Sequence, residues 1–208
     1  MGRSFLFLLF PLWIVATVQA LTVDELANRL RERGLAVNRV KVHMVHERSS
    51  VQGEKVRMEG IIWIERPDRF RMDVFPPHES ITVLKGDQML IYFPEEKVAQ
   101  RVDISEDPSL MRWVKFLQEP WEVVKQKGRI EGVEGGLLVV EIDTKDFQEL
   151  ERVRLWIDQR LWFPKRIEMV ERGGEKSTIF YSKIEINPPL PEDIFELHLP
   201  PDVQITEF

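Results

Sequence analysis

The sequence predicts a mainly β fold with helices, of the α+β class: an antiparallel meander of roughly ten strands that curves toward a barrel. Three observations carry this. Most of the chain past residue 37 alternates apolar and polar residues with the period of two that a half-buried strand requires. The alternating runs are joined mostly by short turns rather than crossover helices, which favours a curved sheet or barrel over a parallel α/β fold. Helical periodicity is confined to residues 22–34 and 105–127.

The first twenty residues read as an export signal. Arg3 supplies the positive end, Phe5 to Val18 an apolar stretch, and Val18-Gln19-Ala20 a small-residue cleavage pattern. The apolar run is short for a spanning helix and Pro11 interrupts it. The expected organisation is a signal peptide over 1–20, cleaved after Ala20, and a single domain over 21–208, exported to a bacterial periplasm. The absence of cysteine suits an oxidising compartment and excludes disulfides, thiol catalysis and zinc–cysteine sites.

In the first helix, Thr22 is the expected N-cap, with Glu25 at the capping-box spacing. Leu26 and Leu30 share one face, and Gly34 is a natural stop. Val40, Val42 and Met44 then fall on one strand face, with Lys41, His43 and Glu47 on the other. The next strand places Val56, Met58, Gly60, Ile62 and Ile64 together, and Phe70, Met72 and Val74 resume the pattern beyond the break "ERPDR". Lys85-Gly86-Asp87 is a hairpin turn. "KVAQRVDI", "GLLVVEIDT", "LERVRLWID", "FPKRIEMVER" and "KSTIFYSKIEIN" complete the strands, followed by a Pro-rich tail with one extended piece near Phe195. Over 105–127, Leu110, Val114 and Leu117 share a helical face, and Pro120 is expected to end or kink that helix.

Signals for catalysis are poor. His43 and His46 sit three apart on a strand, hence on opposite faces, and do not match the helical H-E-x-x-H pattern. There is no nucleophile elbow, phosphate loop or dinucleotide fingerprint. A formal net charge of -6 argues against general nucleic-acid binding. No cofactor and no metal are expected. What the composition does show is apolar excess. Six Trp and seven Met are abundant for this length, and Ile61 with Ile62, or Leu138 with Val139, make strands apolar on both faces. An ordinary packed core and an apolar cavity for acyl chains, roofed by the 105–127 helix, both fit.

A family resemblance joins these observations. "EGIIWIERPDRFRMDVFPP" carries Gly60, Arg66, Pro67, Phe70, Arg71 and Pro76, and the following hairpin carries Gly86, Asp87 and Tyr92. "LWIDQRLWFPKRIEMVER" adds Leu155, Ile157, Asp158, Phe163 and Pro164, and the closing segment adds Ile184, Asn187, Phe195 and Pro200. In this order the motifs resemble the LolA-like periplasmic outer-membrane lipoprotein carriers. The resemblance implies an incomplete β-barrel with an N-terminal helix and a helical lid over an apolar cavity. It implies a monomeric carrier, not an enzyme, that takes the acyl chains of lipoproteins from an inner-membrane lipoprotein-releasing ABC transporter to an outer-membrane acceptor. Expected cavity-wall residues are Ile62 and Ile64, Phe70 and Met72, Val83, Met89 and Ile91, and Leu155 and Ile157. Expected lid residues are Leu110, Met111, Trp113, Val114, Phe116 and Leu117, with Arg66 as lid latch. Carriage of another envelope lipid, and a periplasmic sensing domain of the same fold, remain open; an enzyme acting on envelope glycans would need a carboxylate pair or a metal that the sequence does not mark.

Overall fold

The computed structural model describes residues 21–106, 111, 119–147 and 149–207. Helix α1 (Val23–Leu35) opens with the predicted capping box: the Thr22 hydroxyl accepts from the Glu25 amide and the Glu25 carboxylate accepts from the Thr22 amide. Its buried face is Leu26, Ala27 and Leu30. The expected stop at Gly34 is corrected, since the helix runs one residue further and Ala36 caps it.

The chain then forms β1 (Arg39–Ser49), β2 (Lys55–Glu65), β3 (Arg69–Val74), β4 (Ser80–Lys85), β5 (Gln88–Phe93) and β6 (Val98–Asp103), followed by a 3₁₀ turn, Ile104–Glu106. Helix α2 (Pro120–Lys127) precedes β7 (Gly128–Glu134), β8 (Leu137–Ile142), β9 (Leu150–Asp158), β10 (Phe163–Glu171), β11 (Lys176–Ile186) and β12 (Gln204–Glu207). The twelve strands among the described residues belong to one sheet, ordered β12-β6-β5-β4-β3-β2-β1-β11-β10-β9-β8-β7. Two meanders, β1 to β6 and β7 to β11, meet where β1 pairs with β11. The edge strands β12 and β7 do not pair with each other, so the sheet stays open.

Two strands were not anticipated. Segment β7 contains two glycines and few apolar residues, and an edge strand needs less apolar surface than a central one. Segment β12 is four exposed residues and runs parallel to β6, against the expectation of a wholly antiparallel sheet. The extended piece expected near Phe195 is instead irregular chain, with Phe195 buried. Pro120, expected to end or kink a helix, opens one. At the first helical position its missing N–H costs nothing, because that group has no intrahelical partner anyway.

Register sorts the side chains between two faces. Directly paired residues share a face, so Ile62 with Met72, and Ile64 with Phe70, lie inside, whereas Trp63 with Arg71 lies outside. Gly60 faces Met44 and Val74 on the inner side, and a Cβ there would stand 2.3 Å from the Asp73 carbonyl oxygen. The close approach of β3 depends on glycine at this point.

The outer face is also clad. Arg71 holds Asp73 through Nε at 2.7 Å and Nη2 at 3.1 Å, and donates from Nη1 to the Ile194 carbonyl at 2.9 Å. Lys85 pairs with Glu196 at 2.8 Å. The Pro-rich tail is thereby fixed across the outside of β3 and β4 before it ends as β12. Further along the sheet, Trp156 is buried on the outer face, its indole donates to Glu134 at 2.8 Å, and the Arg166 guanidinium lies 4.0 Å from its ring centroid. Apolar residues on both faces of β2 and β8 therefore have two different covers.

Asn187 ties the end of β11 to the start of β1. Its side-chain oxygen accepts from the Asn38 amide at 2.8 Å and the Arg39 amide at 3.0 Å, and its Nδ2 donates to the Ala36 carbonyl at 3.0 Å. Its φ of 51° is one that asparagine tolerates better than most residues. Asn187→Ala should lower unfolding free energy by ~1–3 kcal/mol in urea titration; an unchanged midpoint and slope would remove Asn187 as the tie.

Candidate functional site

Helices α1 and α2 lie together over the inner face of one half of the sheet. Leu26 and Leu30 from α1, Trp121 and Val124 from α2, and Leu138, Val140, Leu155, Ile157 and Ile167 from β8 to β10 form one buried cluster. A second cluster, Val40, Val42, Met44, Ile62 and Val74, covers the other half. Between them lies an apolar cavity of about 140 Å³.

Strands β1, β2, β3, β9, β10 and β11 form its wall, and α1 and α2 its roof. The junction of the roof is the Trp121 indole against Gly34. A Cβ on Gly34 would stand 2.3 Å from the indole ring, so the two helices approach this closely only because residue 34 is glycine. Trp121 is 6% exposed, leaving the ring little room to withdraw.

Arg66 follows β2, its amide held by the Asn38 carbonyl at 2.8 Å. Its guanidinium lies 5.0 Å from the Trp121 ring centroid and also lines the cavity. Burial presses its pKa down and Glu119 opposes that; with arginine's high starting value the group stays charged. Tyr181, in edge-to-face contact with Phe163 at 6.0 Å between ring centres, brings a phenol to the apolar wall. Burial pushes its pKa up to about 12.

The β9–β10 turn completes the rim. The Asp158 carboxylate accepts from the Arg160 amide at 2.8 Å and the Leu161 amide at 3.3 Å, while its carbonyl accepts from the Trp162 amide at 2.7 Å. This turn holds Trp162 at φ 53°, a left-handed conformation costing about 1–2 kcal/mol for a non-glycine residue. Trp162 thereby lines the cavity beneath Arg29 of α1, whose guanidinium lies 5.3 Å from its ring centroid.

Of the nine expected wall residues, Ile62, Ile64, Phe70, Leu155 and Ile157 line the cavity. Met72, Met89 and Ile91 lie on the same sheet face but outside the lining, whereas Val83 pairs with Arg71 and so sits on the outer face. Of the expected lid residues, Leu110, Trp113, Val114, Phe116 and Leu117 lie outside the described residues. Met111 is helical and exposed, and does not line the cavity. Sequence reasoning missed Trp121, Trp162 and Tyr181. The close spacing Trp121–Val124, one helical turn, was the available signal for α2. His43 pairs with Glu59 at 2.9 Å on the outside, and His46 points inward from the same strand. Among the described residues no three His, Cys, Asp or Glu side chains are grouped to hold a metal.

Comparison with known proteins adds the family. Residues 38–198 match the family described as outer membrane lipoprotein carrier protein LolA. An outer-membrane lipoprotein carrier protein of Histophilus somni is 26% identical over 191 residues, 89% of this chain and 87% of that one. An uncharacterized protein of Methanocaldococcus jannaschii is 22% identical over 95% of this chain, which spans only 57% of that relative's length. Among solved structures, an uncharacterized conserved protein of Thermus thermophilus superposes with a TM-score of 0.60 at 12% identity, covering 89% of this chain and 98% of that one.

Two measurements check the site. Gly34→Ala should cost ~1–3 kcal/mol in urea unfolding, because the Trp121 ring must move; no loss would mean the helices are not joined there. Spectrophotometric titration, with Tyr181→Phe subtracted, should place the Tyr181 phenol about 12 in the folded protein. The native state then binds that proton more tightly than the unfolded chain, whose tyrosine titrates near 10. Stability should fall as pH rises from about 10 toward 12, and a phenol titrating near 10 would contradict the buried placement. The matched segment spans most of the chain, from the linker before β1 to the tail beyond β11: this protein belongs to the outer membrane lipoprotein carrier protein LolA family.

Proposed function

We propose that this protein is a periplasmic carrier that accepts the acyl chains of lipoproteins in the cavity beneath α1 and α2 and releases them to an acceptor at the outer membrane. The observation that carries the reading is a largely apolar cavity whose roof is two helices packed on an open sheet. Family membership, and the carrier role named for the Histophilus relative, support lipoprotein as cargo and the periplasm as compartment. An inner-membrane releasing transporter as donor belongs to the same proposal.

The mechanism needs no bond-making. A cavity of about 140 Å³ is close to the ~150 Å³ of a dry apolar cavity that holds benzene, far short of a full acyl chain. Loading must therefore part α1 and α2 from the sheet. Each methylene buried returns ~0.8 kcal/mol, set against the helix–sheet contacts it replaces. That opposition keeps net affinity moderate, so an acceptor can draw the cargo off. Arg66 acts as a latch through Trp121 of the roof.

The test offers a triacylated peptide to the periplasm-derived protein and follows uptake by gel filtration. The expected result is one-to-one comigration, with Arg66→Leu changing the rates of uptake and release. Absence of comigration would overturn the carrier reading; unchanged rates in Arg66→Leu would overturn the latch.

A further inference from the structure

The cavity wall is apolar, yet two charged side chains line it, and both are arginines: Arg33 at the last turn of α1 and Arg66 beyond β2. No carboxylate among the described residues lines it. This contrasts with the rest of a chain whose net charge is -6. On the sheet, Arg39 and Arg69 share Glu65, Arg48 is paired with Glu175, Arg71 with Asp73, and Arg154 with Glu131. Neither Arg33 nor Arg66 forms an ion pair with a described residue. Arg33 suits the negative end of the α1 dipole, and Arg66 has the Trp121 ring. Arg66 is half-buried against the apolar wall and has the Glu119 charge nearby but no carboxylate bonded to it, so its desolvation is only partly offset. Arg33 stands solvated at the mouth, where a second guanidinium can reach the same anion.

We propose that, besides the uncharged acylated end of a lipoprotein, the cavity takes a second class of ligand, an amphiphile with a single anionic head, its carboxylate or phosphate held between Arg33 and Arg66 and its chain against Ile62, Ile157 and Phe163. The proposal rests on the reading of the cavity as an acyl-chain site and adds the chemistry of the head. Guanidinium groups match both oxyanions with paired N–H donors. In the empty protein Arg66 lies over Trp121; an anion drawing it away frees the indole at the junction of the roof. Head recognition and opening of the roof are then one event.

The experiment measures binding to the exported protein by displacement of a fluorescent acyl probe. Oleate and oleoyl lysophosphatidate carry the two anionic heads, monooleoylglycerol a neutral head on the same chain, and inorganic phosphate the anion alone. At least one anionic lipid should bind about tenfold more tightly than monooleoylglycerol, as one or two charge-assisted hydrogen bonds would give. The more tightly bound one identifies the head. Inorganic phosphate alone should not displace the probe. In Arg33→Gln, whose exposed position spares the fold, the anionic-to-neutral affinity ratio should fall toward one, and high salt should lower the ratio in the unaltered protein. Equal binding of all three lipids, or a ratio indifferent to Arg33→Gln, would overturn the anionic head while leaving the acyl-chain site standing. Displacement by phosphate alone would make the site one for free anions and overturn the proposal. Failure of every lipid to bind would instead strike the carrier reading beneath it.

Discussion

An open sheet with an apolar inner face must be covered, and the cover depends on the contact between Trp121 and Gly34. Without a side chain at residue 34 the indole lies against the α1 backbone, and α1 and α2 become one roof. The same ring takes the Arg66 guanidinium on its face and lines the cavity below. One side chain therefore couples the two helices, Arg66 at the end of β2, and the space they enclose. The roof is made of two short helices, of 13 and 8 residues, laid on a broad sheet.

The sheet supplies the contrast. Strand β1 is paired along its length on both sides, with β2 and β11, and Asn187 ties its entry to the exit of β11. The outer face is held by the Arg71 clamp on the C-terminal tail and by Arg166 over Trp156. A wall tied at both faces beneath a roof of two helices is consistent with the proposed loading of cargo under the roof.

Much of this was legible in the sequence. Period-two alternation gave ten of the strands, because a half-buried strand repeats its environment every second residue. The Thr22–Glu25 box marked the start of α1, because capping is a local interaction. What was not legible depended on distant partners. Pro120 is the same residue whether it stops one helix or starts the next, and only the chain on either side decides. Val83 reads as apolar strand like Ile62, but the cover of its face comes from a tail more than a hundred residues away. The doubly apolar strands suggested a wide interior; part of that apolar surface instead meets the tail and the arginines outside. Trp162 and Tyr181 reach the cavity through a left-handed turn residue and through pairing of β11 with the first strand, neither of which a local pattern reveals.

In the proposed mechanism cargo chains enter between the roof and the inner face. A lipopeptide carrying a photoactivatable diazirine on its acyl chain, cross-linked in the loaded protein and mapped by mass spectrometry, tests it most directly. Labels are expected on Leu155, Ile157, Phe163 and Trp121. Labels confined to the outer face, around Val83, Trp156 or the tail at Phe195, would contradict it.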